Sequence, residues 1–592
     1  MSKIKIIPFG GVCENGKNMY AVEVDEQIFI LDVGLKYPET ELMGIDVVIP
    51  DWEYLIEHKD RIVGVFLTQG HADAIGALPY FLMDFNVPVF GSEMTIELAK
   101  LGIKKHKEVK KFKDFHVVDG QTAIEFDNVT VSFFQTTHTI PETLGIVLET
   151  SEGNIVYTGD FKFDQTATDG YKTDLARLAE IGQQGVLALL SDSAGANITG
   201  ASTRETDIGE YIKETFKYHY GRIIVASVAS NIMRVQQIID AAIEVERKIV
   251  LSGSDIEQII NTAMSLGKLK LPDDLFITMD EADELDPSQV VILETGKMGE
   301  PIKSLEQMAT GDNPNVQLAE NDLVFVTTTP SYAQETEVQK AKDIIYRSGA
   351  EVKFIFDDLN PSGHANQNDL QLMLNFMKPK FFIPIQGEYR LLKRHAELAE
   401  EVGVKQENIF ITTKGDVLVY ENGEFHVGEH IDVSNTMIDG TGIGDIGNIV
   451  LRDRRVLSED GIFVVVATID RKKKKIVARP QITSRGFVFV KTNRQLMKQS
   501  ADLVEKVVQD NLDQKEFDWG HLKQDVREKL NRFLFDQTKR HPVILPVIME
   551  INQHAKKKAR NAGNGEKKEK QRSKEQHRGR GRGKKRQSEN QK

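Results

Sequence analysis

The chain has 592 residues, 40% apolar and 28% charged, with a formal net charge of −14; this exceeds what one core organises and points to roughly three or four folding units of an ordinary soluble globular protein. Its single cysteine, Cys13, excludes an intrachain disulfide and a thiolate zinc cluster. No run approaches the ~18–20 apolar residues of a membrane span, and the N-terminal MSKIKIIPFGG has no apolar signal core, so a cytoplasmic protein is expected.

In chain order, IKIIPFGG, NMYAVEVD and QIFILDVG are β-branched or apolar runs that close on Gly or Asp, and each predicts a strand. VGVFLT predicts another, broken at Gln69-Gly70-His71 and followed by a helix over AIGALPYFLMDF. VTVSFFQTTH and GNIVYTGDF repeat the pattern of a strand ending in a polar loop, where sites are commonly set. From about Thr206 to Phe356 the character changes. RIIVASV, KIVLSG, VVILETG and LVFVTTT alternate with amphipathic helices such as IMRVQQIIDAAIEV and IEQIINTAMSLG, which predicts a parallel α/β sheet in its own domain. Strands of the first type resume with KFFIPIQGEY, FITTKGDVLVYENG and EFHVGEHIDV, so the simplest topology inserts the α/β domain into an outer domain. GIFVVVATID, KIVARPQITS and FVFVKT, followed by helices, predict a smaller α+β unit. From Lys556 to Lys592 there are sixteen Lys and Arg against four Glu and almost no apolar residues. That composition predicts a disordered tail, and an acidic body with a basic tail suggests local contact with a polyanion.

The chemistry-bearing segment is Thr68-Gln69-Gly70-His71-Ala72-Asp73-Ala74, between a strand and a helix. His138 and Asp160 end later strands, and Gln386 sits in PIQGEY. Singly, each could be an ordinary polar loop residue. Together, a ligand loop, a distant His and an Asp able to bridge two ions are the parts of a binuclear hydrolase, in which two ions roughly 3.5–4 Å apart activate water and neutralise a phosphodiester.

On these residues, and on ILDVGLKYPETELMGIDVVIPD, LLSDS, ASNIMRVQQ, PSGHA, IPIQGEYRLLKRHAELAEE, GIGDIGNIVLRDRRVLSEDGIF and TSRGF, the chain resembles the metallo-β-lactamase/β-CASP nucleases, specifically the bacterial ribonuclease J family, nearly end to end. The resemblance implies an α/β architecture: a metallo-β-lactamase αββα sandwich in two parts (1–205 and 357–450), an inserted β-CASP domain (206–356), a C-terminal α+β association domain (451–554) and the basic tail (555–592). The family's ligand loop reads His-x-His-x-Asp-His. Its positions fall here on Gln69, His71, Asp73 and Ala74, with later ligands on His138 and Asp160 and the last histidine on Gln386. One ion would use Gln69, His71, His138 and the bridging Asp160; the other would use Asp73, Ala74, Asp160 and Gln386. The first has lost one imidazole and the second both. Carboxylates without imidazole favour a weakly held Mg²⁺ or Mn²⁺ over a tight Zn²⁺, so partial or absent occupancy is expected. In this the chain is similar to the second, weakly active ribonuclease J paralogue of bacteria that carry two.

The resemblance also implies that Asn360, Pro361, Ser362, Gly363 and His364, with Ser191 and Ser193, hold RNA near its 5′ monophosphate. His364 and Asp73 are the implied catalytic residues. Small residues in the 360–365 loop let backbone N–H groups approach a phosphate. Where the family usually has His, this chain has Met233; Arg234 reads either as a phosphate contact or as part of a helix start capped by Asn231. TGKMGEP and TTTPSYAQE depart from the family's runs at the RNA channel, and Asp445 reads as an extra ion ligand or a turn cap. The tail, with its Arg-Gly repeats, reads as an RNA-binding segment or a solubilising one. The implied function is 5′-to-3′ exoribonuclease and endoribonuclease action in mRNA turnover and rRNA maturation. Homo- and hetero-oligomers with an active paralogue, and membership of an RNA-degradation complex, are the implied partners. The alternative is a largely non-catalytic RNA-binding and assembly subunit. A small-molecule hydrolase is disfavoured by the inserted domain and the SGHA loop.

Overall fold

The computed structural model describes residues 2–38, 42–253, 256–296, 300–328, 335–440, 442–444 and 446–551. Much of TTTPSYAQE, the middle of TGKMGEP, Asp445 and the basic tail lie outside these. The chain divides into two units, one up to Ile446 and one from Gly447.

The first unit is built on two facing mixed sheets. In the eight-stranded sheet, Ile4–Gly10, Met19–Val24 and Gln27–Leu31 run antiparallel, and Ile62–Phe66, Val89–Gly91 and Phe115–Val117 continue in parallel. The late strands Asp416–Glu421 and Glu424–His430 close its other edge. The second sheet runs from Ala123–Phe126 through Val129–Gln135, Leu144–Thr150 and Gly153–Tyr157 to the parallel pair Val186–Asp192 and Phe381–Ile385. Alternating side chains of both sheets, including Ile6, Val22, Phe29, Phe66, Phe133, Ile146 and Leu190, fill the space between them. Helices cover both outer faces, which completes the αββα sandwich. Full burial on both sides explains why inner strands such as Met19–Val24 and Val186–Asp192 read as apolar runs, whereas the edge strands Ala123–Phe126 and Glu424–His430 keep exposed positions.

The insertion is visible in the second sheet. Val186–Asp192 and Phe381–Ile385 are hydrogen-bonded neighbours, yet the chain between them builds a separate six-stranded sheet. Its order is Phe276–Ile277, Lys248–Gly253, Val290–Gly296, Ile223–Val228, Leu323–Val326 and Glu351–Phe354, and every pairing is parallel. Helices on both faces bury it, as a parallel sheet requires.

In the second unit, Ile462–Asp470 is the central strand between Lys475–Arg485, antiparallel, and Val543–Glu550, parallel. Helices Arg494–Asp513 and Trp519–Thr538 pack on one face. FVFVKT, expected as a strand, is not one. Phe487 turns inward against Phe463, with ring centroids 5.9 Å apart, while Phe489 and Val490 are exposed. The third strand is instead VILPVIME. Its Pro546 has no N–H for a central ladder, and an edge strand tolerates it.

Candidate functional site

The site lies where strand ends of the two sheets meet. Beyond Ile62–Phe66, Thr68 donates through both its N–H and its hydroxyl to the Asp32 carboxylate, each at 2.8 Å. The Tyr157 hydroxyl donates to the same group at 2.7 Å. Burial pushes Asp32 up to about 7, against the lowering effect of these three donors. This knot fixes the start of the ligand loop. The loop then makes a short helix, Ala72–Ile75. The Asp73 carbonyl accepts from the Asn18 N–H at 2.9 Å. Gly34 is required beside it, because a Cβ there would stand 1.6 Å from that oxygen.

The two glutamines at the ligand positions hold the carboxylates directly. Gln69 Oε1 accepts from the His71 N–H at 2.5 Å. This fixes the amide orientation, so that Nε2 donates to Asp160 Oδ2 at 3.0 Å and, more weakly, to Asp73 Oδ1 at 3.3 Å. Gln386, in a left-handed conformation with φ 52°, points its Nε2 at Asp73 Oδ2 at 3.3 Å. Its buried Oε1 has no partner among the described residues. Ala74 is fully buried and offers no donor.

The histidines divide into two kinds. His71 has a hydroxyl at each ring nitrogen: Ser230 Oγ 2.7 Å from Nδ1 and Thr139 Oγ1 2.8 Å from Nε2. Burial pulls it down to about 4, so it is neutral. His138 Nδ1 donates to the Gly363 carbonyl at 3.0 Å, which leaves its Nε2 as the lone-pair nitrogen. Burial, with His71 and His364 nearby, holds it well below the usual histidine range. His364 differs. Its Nδ1 donates to Asp192 Oδ2 at 2.7 Å, and although burial opposes protonation, Asp192, Asp160 and Asp73 raise it to about 10. The three rings form a row, with centroids 5.1 Å and 5.6 Å apart. Gly363 lies against this row: a Cβ there would meet the His138 ring at 2.7 Å. Asp160 is raised well above the ordinary carboxylate range, by burial first and then by Asp73.

His71, Asp73, His138, Asp160, Gln69, Gln386 and His364 are therefore gathered in one cleft. Ser362 accepts from the His364 N–H at 3.1 Å and shapes the loop; Asn360 stays partly exposed beside the buried Pro361. Ser191 and Ser193 are a correction. Strand alternation sends Asp192 toward the site and its two neighbours to the opposite face. There both are buried, and the Ser193 hydroxyl meets His395 Nδ1 at 2.9 Å. Of the two readings of Arg234, the phosphate contact is overturned. Its backbone N–H is capped by Asn231, and its buried guanidinium donates to Gln237 and lies 3.8 Å from Glu205, which also pairs with Lys162 at 2.7 Å.

Sequence reasoning missed Asp192, Thr139 and Ser230. Asp192 had a signal, a carboxylate closing the apolar run VLALLS. Thr139 and Ser230 had none, because only folding brings them to His71.

The donor set does not fit the two-ion arrangement that the resemblance implies. Amide N–H groups stand against Asp160 and Asp73 where a cation would draw on lone pairs. The fixed orientation of Gln69 keeps its oxygen turned away. His71 has no free ring nitrogen, and Ala74 contributes nothing. Asp160, Asp192 and His364 bring ligand atoms within 4.8 Å of one another, but the protonated His364 Nδ1 is already committed to Asp192.

Comparisons with known proteins agree with the fold. The model described as "Ribonuclease J, beta-CASP domain" matches residues 220–345, and "Ribonuclease J C-terminal domain" matches 449–551. "Beta-lactamase superfamily domain" matches 47–180, and "Zn-dependent metallo-hydrolase RNA specificity domain" matches 350–411. A curated relative from Streptococcus pyogenes, "Ribonuclease J 2", is 53% identical over 93% of this chain and 100% of its own length. One of the same name from Staphylococcus epidermidis is 43% identical over 93% of this chain and 98% of its own. A crystal structure of a protein of unknown function from Enterococcus faecalis V583 aligns with TM-score 0.50 and 14% identity, covering 71% of this chain and 100% of that one, which speaks to fold alone. No helix among the described residues is long and apolar enough to cross a membrane. The chain belongs to the ribonuclease J family of metal-dependent, RNA-cutting hydrolases.

Proposed function

We propose that this chain is a ribonuclease J subunit whose own hydrolysis of RNA, 5′-to-3′ and secondarily endonucleolytic, is weak. It acts in the cytoplasm on mRNA and rRNA precursors, as part of a hetero-oligomer with a fully liganded paralogue. The observation that carries this reading is the Gln69 amide, whose N–H group bonds Asp160 and Asp73 at a ligand position. The substrate side supports retained RNA contact. The His364 imidazolium, held by Asp192, places positive charge beside a small-residue loop whose N–H groups suit a phosphate. The relatives' shared name, Ribonuclease J 2, supports the ribonuclease J part of this reading.

The second reading, a largely non-catalytic RNA-binding and assembly subunit, draws on His71, whose two ring nitrogens both meet hydroxyls. Purified chain, free of any paralogue, given Mn²⁺ and a 5′-monophosphorylated RNA, separates the two. Slow turnover abolished by His71→Ala with Asp160→Ala supports the first. No turnover, with enhancement or redirection of an active paralogue, supports the second. Turnover that survives the double variant contradicts the assignment of the cleft.

A further inference from the structure

A strongly basic surface stands on the sandwich of this otherwise acidic chain. From Lys100 to Lys113 the sequence reads KLGIKKHKEVKKFK, seven Lys against the single Glu108, where the whole chain carries a formal net charge of −14. The stretch begins at the end of helix Glu93–Lys104 and leads through turns to Phe115–Val117, the edge strand of the eight-stranded sheet. It is held rigidly. Ile103 and Val109 are buried in the core, and Phe112 and Phe115 pack against it with ring centroids 5.1 Å apart. The Lys110 N–H donates to the His106 carbonyl at 3.1 Å, and the Phe112 N–H to the Val109 carbonyl at 2.9 Å. With the apolar side chains turned inward, Lys104, Lys105, Lys107, Lys110, Lys111 and Lys113 are all exposed. Little neutralises them. Lys100 pairs with Glu97 at 2.7 Å, and Asp114 lies 2.9 Å from His116. Among the described residues Lys104, Lys107, Lys110, Lys111 and Lys113 pair with no carboxylate.

Lysines beside an edge strand ordinarily guard it against pairing with another chain. That role does not account for these, because they precede the strand, and on the strand itself Val117 stands 60% exposed. Five unpaired like charges fixed on a folded surface call for a polyanion. The same helix also reaches the ligand loop. Leu98 packs on Gly70, where a Cβ would stand 2.6 Å from the Leu98 Cδ1. Lys104 follows six residues later, about 9 Å along the helix axis, so the lysines begin a short span from that loop.

We propose that the 104–113 surface is an accessory docking site for the phosphate backbone of single-stranded RNA, outside the nuclease cleft. It rests on RNA being the polyanion this family cuts, and not on whether this cleft hydrolyses it. Lysine ammonium groups act as point charges, which neutralise phosphates without reading bases. An anionic membrane fits less well, because Phe112 and Phe115 are committed to the core and leave no apolar face to enter a bilayer. An acidic polypeptide would match the charge, but the continuity with the ligand loop favours a strand that also occupies the cleft.

The test is fluorescence anisotropy of two labelled, 5′-monophosphorylated oligouridylates with the full chain in EDTA, across a salt series. One is short enough to lie within the cleft, and the other is long enough to extend well beyond it. In Lys107→Gln/Lys110→Gln/Lys111→Gln/Lys113→Gln, four lost phosphate contacts make the slope of log affinity against log salt shallower by about 2 to 3 for the long strand. The short strand keeps its slope, and Lys107→Arg/Lys110→Arg/Lys111→Arg/Lys113→Arg keeps both. If the quadruple glutamine variant melts early, Lys110→Gln/Lys111→Gln serves in its place and takes about half of that change. An unchanged long-strand slope overturns the site. An equal change for both lengths also overturns it, since the lysines would then act on the cleft. Lysine-dependent binding of polyglutamate or of phosphatidylserine vesicles that the long strand fails to displace overturns RNA as the occupant. Failure of the short strand to bind, with the long-strand difference intact, bears only on the cleft.

Discussion

The two walls of the cleft use similar residues for opposite ends. On the ligand-loop wall, Gln69 and Gln386 turn amide N–H groups onto Asp160 and Asp73, and His71 is closed by two hydroxyls. On the opposite wall, Asp192 holds the His364 imidazolium against a loop of small residues. The first wall satisfies its own carboxylates; the second keeps a charge facing outward. Within one scaffold, side-chain amides satisfy buried carboxylates on one wall while a carboxylate-paired imidazolium stands on the other.

The largest expected effect tests what ties the inserted domain to the sandwich rather than either wall. Arg234→Met takes a buried donor from Gln237 and one of the two cations from Glu205, which keeps Lys162, and should cost about 3 kcal/mol in denaturant unfolding. If Arg234 contacted phosphate instead, RNA affinity would fall with stability unchanged. Next is conversion of the first wall. Gln69→His with Gln386→His, with or without Ala74→His, should tighten Mn²⁺ binding by roughly 10- to 100-fold and raise turnover in parallel. Ala74 is fully buried, so the double variant is the safer form. Third, Gly363→Ala puts a methyl against the His138 ring and should cost about 1–3 kcal/mol and weaken RNA binding. The smallest effect is a pH profile. Because the folded His364 is raised to about 10, its contribution to stability is complete below the ordinary histidine value near 6.5 and is lost as pH climbs toward 10. Asp192→Asn should flatten stability across that alkaline window and return His364, followed by NMR, toward the ordinary range.

The sandwich and the inserted sheet were legible because both faces of their strands are buried, which leaves unbroken apolar runs such as VLALLS and RIIVASV. FVFVKT misled for the same reason: an apolar run without a ladder partner packs Phe487 and part of Val488 and exposes Phe489 and Val490. In the site, substituted ligand positions could be read from spacing, since a loop's residues travel together. The hydroxyls on His71 could not, since Thr139 and Ser230 come from distant elements. The faces of Ser191 and Ser193 follow from strand alternation, once Asp192 is taken as the side chain that points inward.

Mn²⁺ binding to the purified full chain, followed by electron paramagnetic resonance, tests the central claim most directly. If amide N–H groups hold Asp160 and Asp73, the wild type forms no tightly held, spin-coupled pair of ions, and Gln69→His with Gln386→His tightens uptake by at least about tenfold. A wild-type chain that binds a coupled Mn²⁺ pair tightly, and loses it in Asp160→Ala, would contradict the account.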